Sequence, residues 1–399
     1  MRRIYLDANA TTPLLPEVFE AMRPFYLEHY GNASSIHQQG QQARAAVDHA
    51  REAIARMLHC RPAEVVFTSG GTESDNLALF GVLSPGDHLI TSTIEHHAVL
   101  HAANSLESRG IEVTYLPVTP QGIVEPSTLL AALKPNTRLV SIMYANNETG
   151  VIQPIETLAG IAHAGGALFH TDAVQAGGKL PLDVSPQGPL KNVDLLTLSG
   201  HKIFAPKGTG VLYVRRNVRL SPMFHGGSHE RQRRAGTENV PGIVGLGKAA
   251  EVCTEWLKTD GTAKLAALRD RLEQGILSTV DESSVNGEGA PRVANTTNIS
   301  FDHVEAEALL IALDLKGISV SGGSACQSGA TEPSHVLTAM GLTTQRARAT
   351  IRFSLSKLTT DTEIDEALGI IPEAVARLRE LSPTYKAAVE AKAAVSAAK

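Results

Sequence analysis

One cysteine, Cys326, stands in the segment SGGSACQSG, whose serines and glycines offer it no apolar wall and little backbone restraint. The other two cysteines, Cys60 and Cys253, lie in helix-like patterns where a thiol serves as packing. A thiol in a segment of small residues can move over several ångströms. This mobility suits a nucleophile that reacts in one pocket and presents its product elsewhere. Because the thiolate is the reactive form, the pattern predicts nucleophilic chemistry at Cys326.

Two charged residues follow apolar, strand-like runs: Lys202 after DLLTLSGH, and Asp172 at the end of ALFHTD. Ligands of open α/β sheets bind at the carboxyl ends of the strands, where a lysine can form a Schiff base with a carbonyl. A carboxylate nearby can keep a ring nitrogen protonated. Pyridoxal phosphate requires both groups, a lysine that forms the Schiff base and a carboxylate at the ring nitrogen. Taken singly, Lys202 fits a solvated strand-end lysine better than a Schiff-base lysine, and Asp172 fits a helix cap; the pair at neighbouring strand ends is more informative.

The segment FTSGGTESDNLAL has the order strand, glycine pair, helix. Gly71, Thr72 and the first helical N–H groups would face an anion, which predicts a phosphate seat. A plain helix with Thr72 as its N-cap is the alternative. A second glycine-rich stretch, GIVGLGKA at 242–249, has Ala249 where a phosphate loop needs a hydroxyl, so it predicts helix and not a nucleotide site.

Histidines cluster in TIEHHAVLH, where His97 and His101 are four residues apart and could share a helix face. No HExxH pattern and no further ligand set accompany them, so we predict no metal site. The favoured interpretation is that one histidine stacks on an aromatic ligand at the sheet edge.

Arg352 lies in ATIRFSL, where it alternates with Ile351 and Phe353. Strand periodicity turns it away from the core, so that it can bind a substrate carboxylate as a bidentate fork. A surface salt bridge is the alternative.

The elements that must position these residues alternate between short apolar runs and helical patterns. Most runs are apolar on both faces, which predicts a doubly wound, mostly parallel sheet in an α/β fold. Only GHKIFAPKGT joins the last two runs, too little for a crossover helix, so the last strand should be antiparallel. The predicted strands are 64–69, 88–92, 112–118, 138–144, 167–171, 194–199 and 210–215.

A length of 399 residues allows two or three domains at about 150 residues each. A helical pattern at 240–257 followed by polar KTDGT suggests a boundary near 258. Beyond it, mixed strand and helix patterns predict a smaller α+β unit.

Composition excludes several classes of protein. The net charge of −5 gives no positive field for nucleic acid or for an acidic membrane surface. No apolar run approaches the roughly 18 residues of a membrane-spanning helix. The start MRRIYLDANATTP lacks the apolar stretch of a signal peptide, so we expect a cytoplasmic location. Three cysteines without CxxC spacing predict neither a disulfide framework nor a cysteine zinc site.

A series of motifs runs in order across nearly the whole chain. Together they resemble the pyridoxal-phosphate cysteine desulfurases of the NifS/IscS type in the class V aminotransferase superfamily. The glycine-rich cysteine segment is similar to that of the group with a long mobile cysteine loop. The motifs are YLDANATTP, SGGTESDNLA, EHHAVL, ANNETGVIQPI, HTDAVQ, SGHKIFAPKGTG, AGTENVPGIVGLG and SGGSACQSG…EPSHVL.

This resemblance implies a role for each matching residue. Lys202 would hold pyridoxal 5'-phosphate and shuttle a proton, His96 would stack on the ring and act as acid or base, and Cys326 would be the nucleophile. Arg352, helped by Asn147, would bind the substrate carboxylate. The cofactor-binding set would be Gly71, Thr72, His96, Asn147, Asp172, Gln175, Ser199, His201, Lys202 and Thr237.

The resemblance also implies domains and partners. Residues 14–257 would form the large cofactor-binding domain, while 1–13 and 258–399 would form the small domain carrying the cysteine loop at about 321–332. The chain would be a homodimer in which Thr237 reaches the partner's phosphate.

The implied activity converts L-cysteine to L-alanine and moves sulfur to Cys326 as a persulfide. The sulfur would then pass to an acceptor protein for iron–sulfur cluster or other thiocofactor assembly. Two alternatives stay open: a selenocysteine lyase or another class V enzyme, and a non-catalytic sulfur-relay scaffold.

Overall fold

A computed structural model describes residues 3–322, 332–387 and 390 of the chain. Its strands are β1 Ile4–Tyr5, β2 Val65–Thr68, β3 His88–Ser92, β4 Glu112–Leu116, β5 Thr137–Ser141, β6 Leu168–Asp172, β7 Leu195–Ser199, β8 Gly210–Val214, β9 Ser283–Val285, β10 Thr296–Phe301, β11 Ile318–Ser319, β12 Ser321–Gly322 and β13 Thr350–Ser354.

The helices surround two sheets, and 3₁₀ turns lie at Pro62–Glu64 and Gly200–Lys202. The helices are α1 Pro16–Met22, α2 Pro24–Leu27, α3 Gln38–Leu58, α4 Gly71–Val82, α5 His97–Glu107, α6 Pro126–Ala132, α7 Ile155–Ala164, α8 His229–Gln232, α9 Val240–Leu257, α10 Gly261–Thr279, α11 Ala306–Leu315, α12 His335–Ala339, α13 Thr344–Arg348 and α14 Asp361–Leu381.

The central sheet has seven strands in the order β2-β8-β7-β6-β5-β3-β4. Its inner strands pair in parallel, whereas β8 is antiparallel to both β7 and β2. The α/β fold, the seven strands and the antiparallel last strand are confirmed. The short link after β7 contains the 3₁₀ turn Gly200–Lys202 and reverses the chain at once.

Helices cover this sheet on both faces, and strand alternation divides the core accordingly. Val65 and Phe67 of β2 pack in a cluster with α3 and α9, whereas Val66 between them packs with α4 and α5. A strand buried on both sides reads as continuously apolar, which is why the sequence pattern located these strands.

The second sheet is antiparallel, with the order β12-β13-β10-β9, and β1 pairs in parallel with β11 beside it. Ile351 and Phe353 of β13 bury into a core shared with α10, α11 and α14. The last of these helices begins with a capping box between Thr360 and Glu363. In the described ranges, no helix has the length and apolar character needed to span a bilayer. The boundary near 258 stays a prediction.

Candidate active site

A cavity of about 270 Å³ lies at the edge of the central sheet where β6 and β7 end. The structure brings the sequence-predicted residues together here, except Thr237 and Cys326. The lining consists of Asn9, Ala10, Gly71, Thr72, Asp75, His96, Met143, Ala145, Asn147, Asp172, Val174, Gln175, Ser199, His201, Lys202 and Arg352.

The start of α4 forms one end of the cavity. The helix begins at Gly71 with Gly70 as its N-cap, so the interpretation of Thr72 as the cap is wrong. A Cβ added at Gly71 would lie 3.1 Å from Val174 Cγ2 and 3.5 Å from the Cβ of Ser199. Glycine therefore lets the first turn approach the end of β7. Unpaired N–H groups and the helix dipole give this end the character of an anion site.

Lys202 projects from the 3₁₀ turn that follows β7. Its Nζ donates to the carbonyl oxygens of Asn9 at 2.6 Å and Ala10 at 2.8 Å. The N-terminal segment therefore holds the lysine amine at the cavity, in reach of a bound carbonyl.

Asp172 ends β6 and is buried in the cavity wall. Burial raises its pKa to about 6, while the Val174 N–H, 2.9 Å from Oδ1, and the charge of Lys202 act in the opposite direction. A carboxylate that is costly to bury alone has a strong preference for a cationic partner such as a protonated ring nitrogen.

Two further buried carboxyls lie near Asp172. Burial and then the charge of Asp172 raise the pKa of Asp75 well above its ordinary value, and burial raises that of Glu95 to about 8. Within the described chain, Asp75 Oδ1 and Glu95 Oε2 have no hydrogen-bond partner. Of the three carboxyls, Asp172 is the one best suited to carry a charge at neutral pH.

His96 is the N-cap of α5, and its Nδ1 accepts the Ala98 N–H at 3.1 Å. Burial, followed by the charge of Lys202, lowers its pKa to about 4, so the ring is neutral and carries its proton on Nε2. The rings of His97 and His101 are tilted by 39° to each other, with centroids 4.9 Å apart. Across the residues that the structure describes, no group of three or more His, Cys, Asp or Glu side chains could hold a metal ion.

Arg352 is 1% exposed and faces the cavity, not the solvent, so the surface salt-bridge alternative is wrong. Its Nη2 donates to Asp7 Oδ1 at 2.7 Å and its Nη1 to the Asn147 carbonyl at 3.0 Å. Its Nε has no acceptor among the described residues, and Asn147 Oδ1 has no donor. A ligand carboxylate would accept a hydrogen bond from the buried Nε of Arg352.

Two predicted residues are not placed in the cavity. Thr237 is exposed, in the segment between α8 and α9, and Cys326 lies outside the described residues. Of the other cysteines, burial raises the pKa of Cys60 to about 12 and that of Cys253 to about 11, so both stay thiols. The stretch GIVGLGKA lies inside α9, as predicted.

Sequence reasoning missed Asn9, which joins the cavity to the second sheet. Its Nδ2 donates to Thr296 Oγ1 at 2.9 Å and to the Asn147 carbonyl at 3.2 Å, and its Oδ1 accepts from Asn295 at 3.0 Å. The YLDANATTP motif contains the residue, but no spacing within it indicates these distant partners.

Comparison with known proteins identifies the family. The model of the aminotransferase class-V family matches residues 4–367. The chain belongs to this family.

Similarity to individual members of the class V family indicates which reaction the chain catalyses. Cysteine desulfurase IscS of Methanosarcina thermophila is 48% identical over 386 residues, 96% of this chain and 94% of that protein. A solved NifS-like protein has a TM-score of 0.87 at 37% identity, covering 94% of this chain and all of that one. SspA, solved in complex with cysteine, has a TM-score of 0.78 at 37% identity, covering 89% and 99%. The chain is a cysteine desulfurase of the IscS type.

Class V enzymes use pyridoxal phosphate, and so does this chain. The cavity fits that cofactor. The start of α4, with Ser199 and His201 beside it, offers donors for a phosphate, Asp172 a buried carboxylate for the ring nitrogen, and Lys202 an amine for the aldehyde.

Proposed function

We propose that Cys326 accepts the sulfur of L-cysteine as a persulfide, that L-alanine leaves, and that an acceptor protein takes the sulfur. One observation carries the proposal: Lys202 and Arg352 line the same buried cavity, and the Nε of Arg352 has no acceptor within the part of the chain that the structure describes. An amine and a guanidinium at one cavity fit an α-amino acid, whose carboxylate pairs with the guanidinium.

Pyridoxal phosphate, when bound, supplies the electron sink that stabilises a carbanion at the amino acid's α-carbon. Gly71, Thr72, Ser199 and His201 would hold its phosphate, joined in a homodimer by the partner subunit's Thr237, while Asp172, Gln175, Asn147 and His96 would contact its ring. Lys202 would hold it covalently. The carbonyls of Asn9 and Ala10 would hold the Lys202 amine beside the bound amino acid. From there Lys202 would move the α-proton.

Arg352 and Asn147 orient the substrate by its carboxylate. Asp7 holds one Nη of the guanidinium and the Asn147 carbonyl holds the other, so the plane of the fork is fixed before substrate enters. His96 stays neutral and offers Nε2–H as a proton donor at the same cavity.

The Cys326 thiolate attacks the sulfur of the bound cysteine. An S–S bond forms as the Cβ–S bond breaks, and its electron pair stays with the carbon fragment, which takes up protons to become alanine. The described cysteines do not compete for this role, because Cys60 and Cys253 stay protonated.

The proposal extends to partners. We infer that the acceptor is an iron–sulfur scaffold or a sulfur-carrier protein, and the name IscS of the Methanosarcina relative supports this. We infer a homodimer, because Thr237 is exposed outside the cavity and is free to serve a second copy. An odd set of three cysteines, which predicts no disulfide framework, supports a reducing, cytoplasmic location.

Mass spectrometry after addition of L-cysteine tests the central step. We expect Cys326 to gain one sulfur atom, and the Cys326→Ala variant to keep the visible absorbance of the cofactor while losing sulfide release. Cys60→Ala is the matched control and should behave as wild type. Full sulfide release by Cys326→Ala would overturn the proposal. Lys202→Ala should lose the covalent cofactor band altogether.

A further inference from the structure

Lys179 is a buried lysine with no assigned role, in the turns that follow β6. Its Nζ donates to Gln175 Oε1 at 2.7 Å and lies 3.4 Å from Asn9 Oδ1. No carboxylate pairs with it among the described residues. Burial, followed by the charges of Lys202 and Arg352, lowers its pKa to about 7. A buried lysine without a counter-ion is costly, so its contacts call for an explanation.

The contact with Lys179 determines how the Gln175 amide is oriented. The two ends of an amide are nearly the same shape, so hydrogen-bond partners decide which end faces which way. The protonated form of Lys179 can only donate, and it therefore selects Oε1 of Gln175. The Nε2 end then donates to the Asn9 carbonyl at 3.0 Å, which leaves one further N–H for an acceptor.

We propose that Lys179 is a positioning residue that fixes the Gln175 amide with its N–H, and not its carbonyl, presented to the ligand beside Lys202. Gln175 lines that cavity. The inference rests on the proposed function, in which Gln175 contacts the ring oxygen of pyridoxal phosphate. That oxygen accepts hydrogen bonds, so a reversed amide would replace an attraction by a repulsion.

Asn9 connects this arrangement to the catalytic lysine. Its backbone carbonyl accepts from both Gln175 Nε2 and Lys202 Nζ, and its side chain is fixed by the second sheet. A reversed Gln175 amide would place two acceptors together at that carbonyl. Lys179 therefore keeps the shared acceptor available to Lys202 as well.

Cofactor-free protein titrated with pyridoxal 5'-phosphate tests the inference. We expect Lys179→Met to raise the dissociation constant for the cofactor roughly tenfold, because one charge-assisted hydrogen bond is lost. The substitution should also shift the visible absorption band of the bound cofactor. The matched control is Lys357→Met. Lys357 lines the same 30 Å³ cavity as Lys179 and Lys202 and packs over Phe204, with no hydrogen bond to Gln175 among the described contacts. The Lys357→Met variant should keep the wild-type affinity for the cofactor and the wild-type visible absorption band.

A double-mutant cycle separates positioning from general support. If Lys179 acts through Gln175, then Lys179→Met in a Gln175→Ala background should add less than a twofold further loss of affinity. Independent, multiplying losses would overturn the inference, as would wild-type affinity and absorbance in Lys179→Met. Should Lys179→Met fail to fold, Lys179→Leu, which likewise has no donor for Gln175 Oε1, replaces it in the cycle and must show the same coupling. Persulfide formation on wild-type Cys326 reports the proposed function separately from all these variants.

Discussion

Arg352 Nη2 donates to Asp7 Oδ1 at 2.7 Å, joining residues 345 positions apart in the chain. The Arg352 side chain is 2% exposed and that of Asp7 is 17% exposed. The pair links the segment after β1 to β13 and orients the guanidinium toward the cavity.

Asp7→Ala should raise the KM for L-cysteine about tenfold, because the guanidinium loses the carboxylate that orients it. It should also lower the free energy of unfolding by about 3 kcal/mol, since a buried charge is left without its partner. Steady-state kinetics and denaturant titration measure the two effects. Asp48→Ala removes an exposed partner of Arg44 and should change neither. An unchanged KM in Asp7→Ala would show that Asp7 does not orient the arginine.

Asp172→Asn should stabilise the cofactor-free protein at pH 8 while weakening cofactor binding. Burial raises the folded-state pKa to about 6, so this carboxyl stabilises the fold fully below about pH 4 and loses that contribution as the pH rises through 6. The amide removes a cost on the order of 3 kcal/mol at pH 8. Thermal melting at pH 4 and pH 8 should show a difference at the higher pH only. A destabilised variant at pH 8 would contradict this account.

Glu230→Gln should cost about 3–5 kcal/mol of stability, because it breaks a buried pair with Arg51 whose two side chains are each 4% exposed. Both carboxylate oxygens accept from the guanidinium at 2.7 Å, and the Phe67 N–H adds a third bond at 3.0 Å.

Two comparisons test this explanation of the Glu230 effect by chemical denaturation. Arg56→Gln breaks an exposed pair with Glu251 and should cost less than about 1 kcal/mol. Replacing both Arg51 and Glu230 by Met should cost less than Glu230→Gln alone, since no unpaired charge remains. A double variant less stable than the single one would refute the argument.

His96 should remain neutral, with its proton on Nε2, down to about pH 5. Burial and the charge of Lys202 lower its pKa to about 4. Its neutral form therefore supports the fold above pH 6.5, and this support declines as the pH falls toward 4. Histidine-selective NMR of cofactor-free protein measures the titration, and His96→Gln assigns the resonance. A midpoint near 6.5 would rule the prediction out.

Much of the fold and the heart of the site could be predicted from sequence, because both depend on local patterns. Strands buried on two faces read as apolar runs, and parallel strands bring their carboxyl ends to one edge. Asp172 at the end of β6 and Lys202 just after β7 had to be neighbours once that sheet was assumed.

Other features could not be predicted, because they depend on contacts between distant parts of the chain. Asp7 and Asn9 follow a two-residue strand, and their partners lie some three hundred positions away. Lys179 is close to Gln175 in sequence, yet only the structure reveals that it contacts the Gln175 amide and that no described carboxylate pairs with it. The N-cap at Gly70, in place of Thr72, depends on backbone torsions that residue types alone do not determine.

The pairing of Asp7 with Arg352 also sets an order of events during translation. At roughly 5–20 residues per second, a ribosome releases the start of the chain tens of seconds before it adds the arginine. A nascent chain that already contains Lys202 still lacks the guanidinium that we propose binds the substrate carboxylate. No nascent molecule can therefore hold cysteine through this arginine until residue 352 has been added.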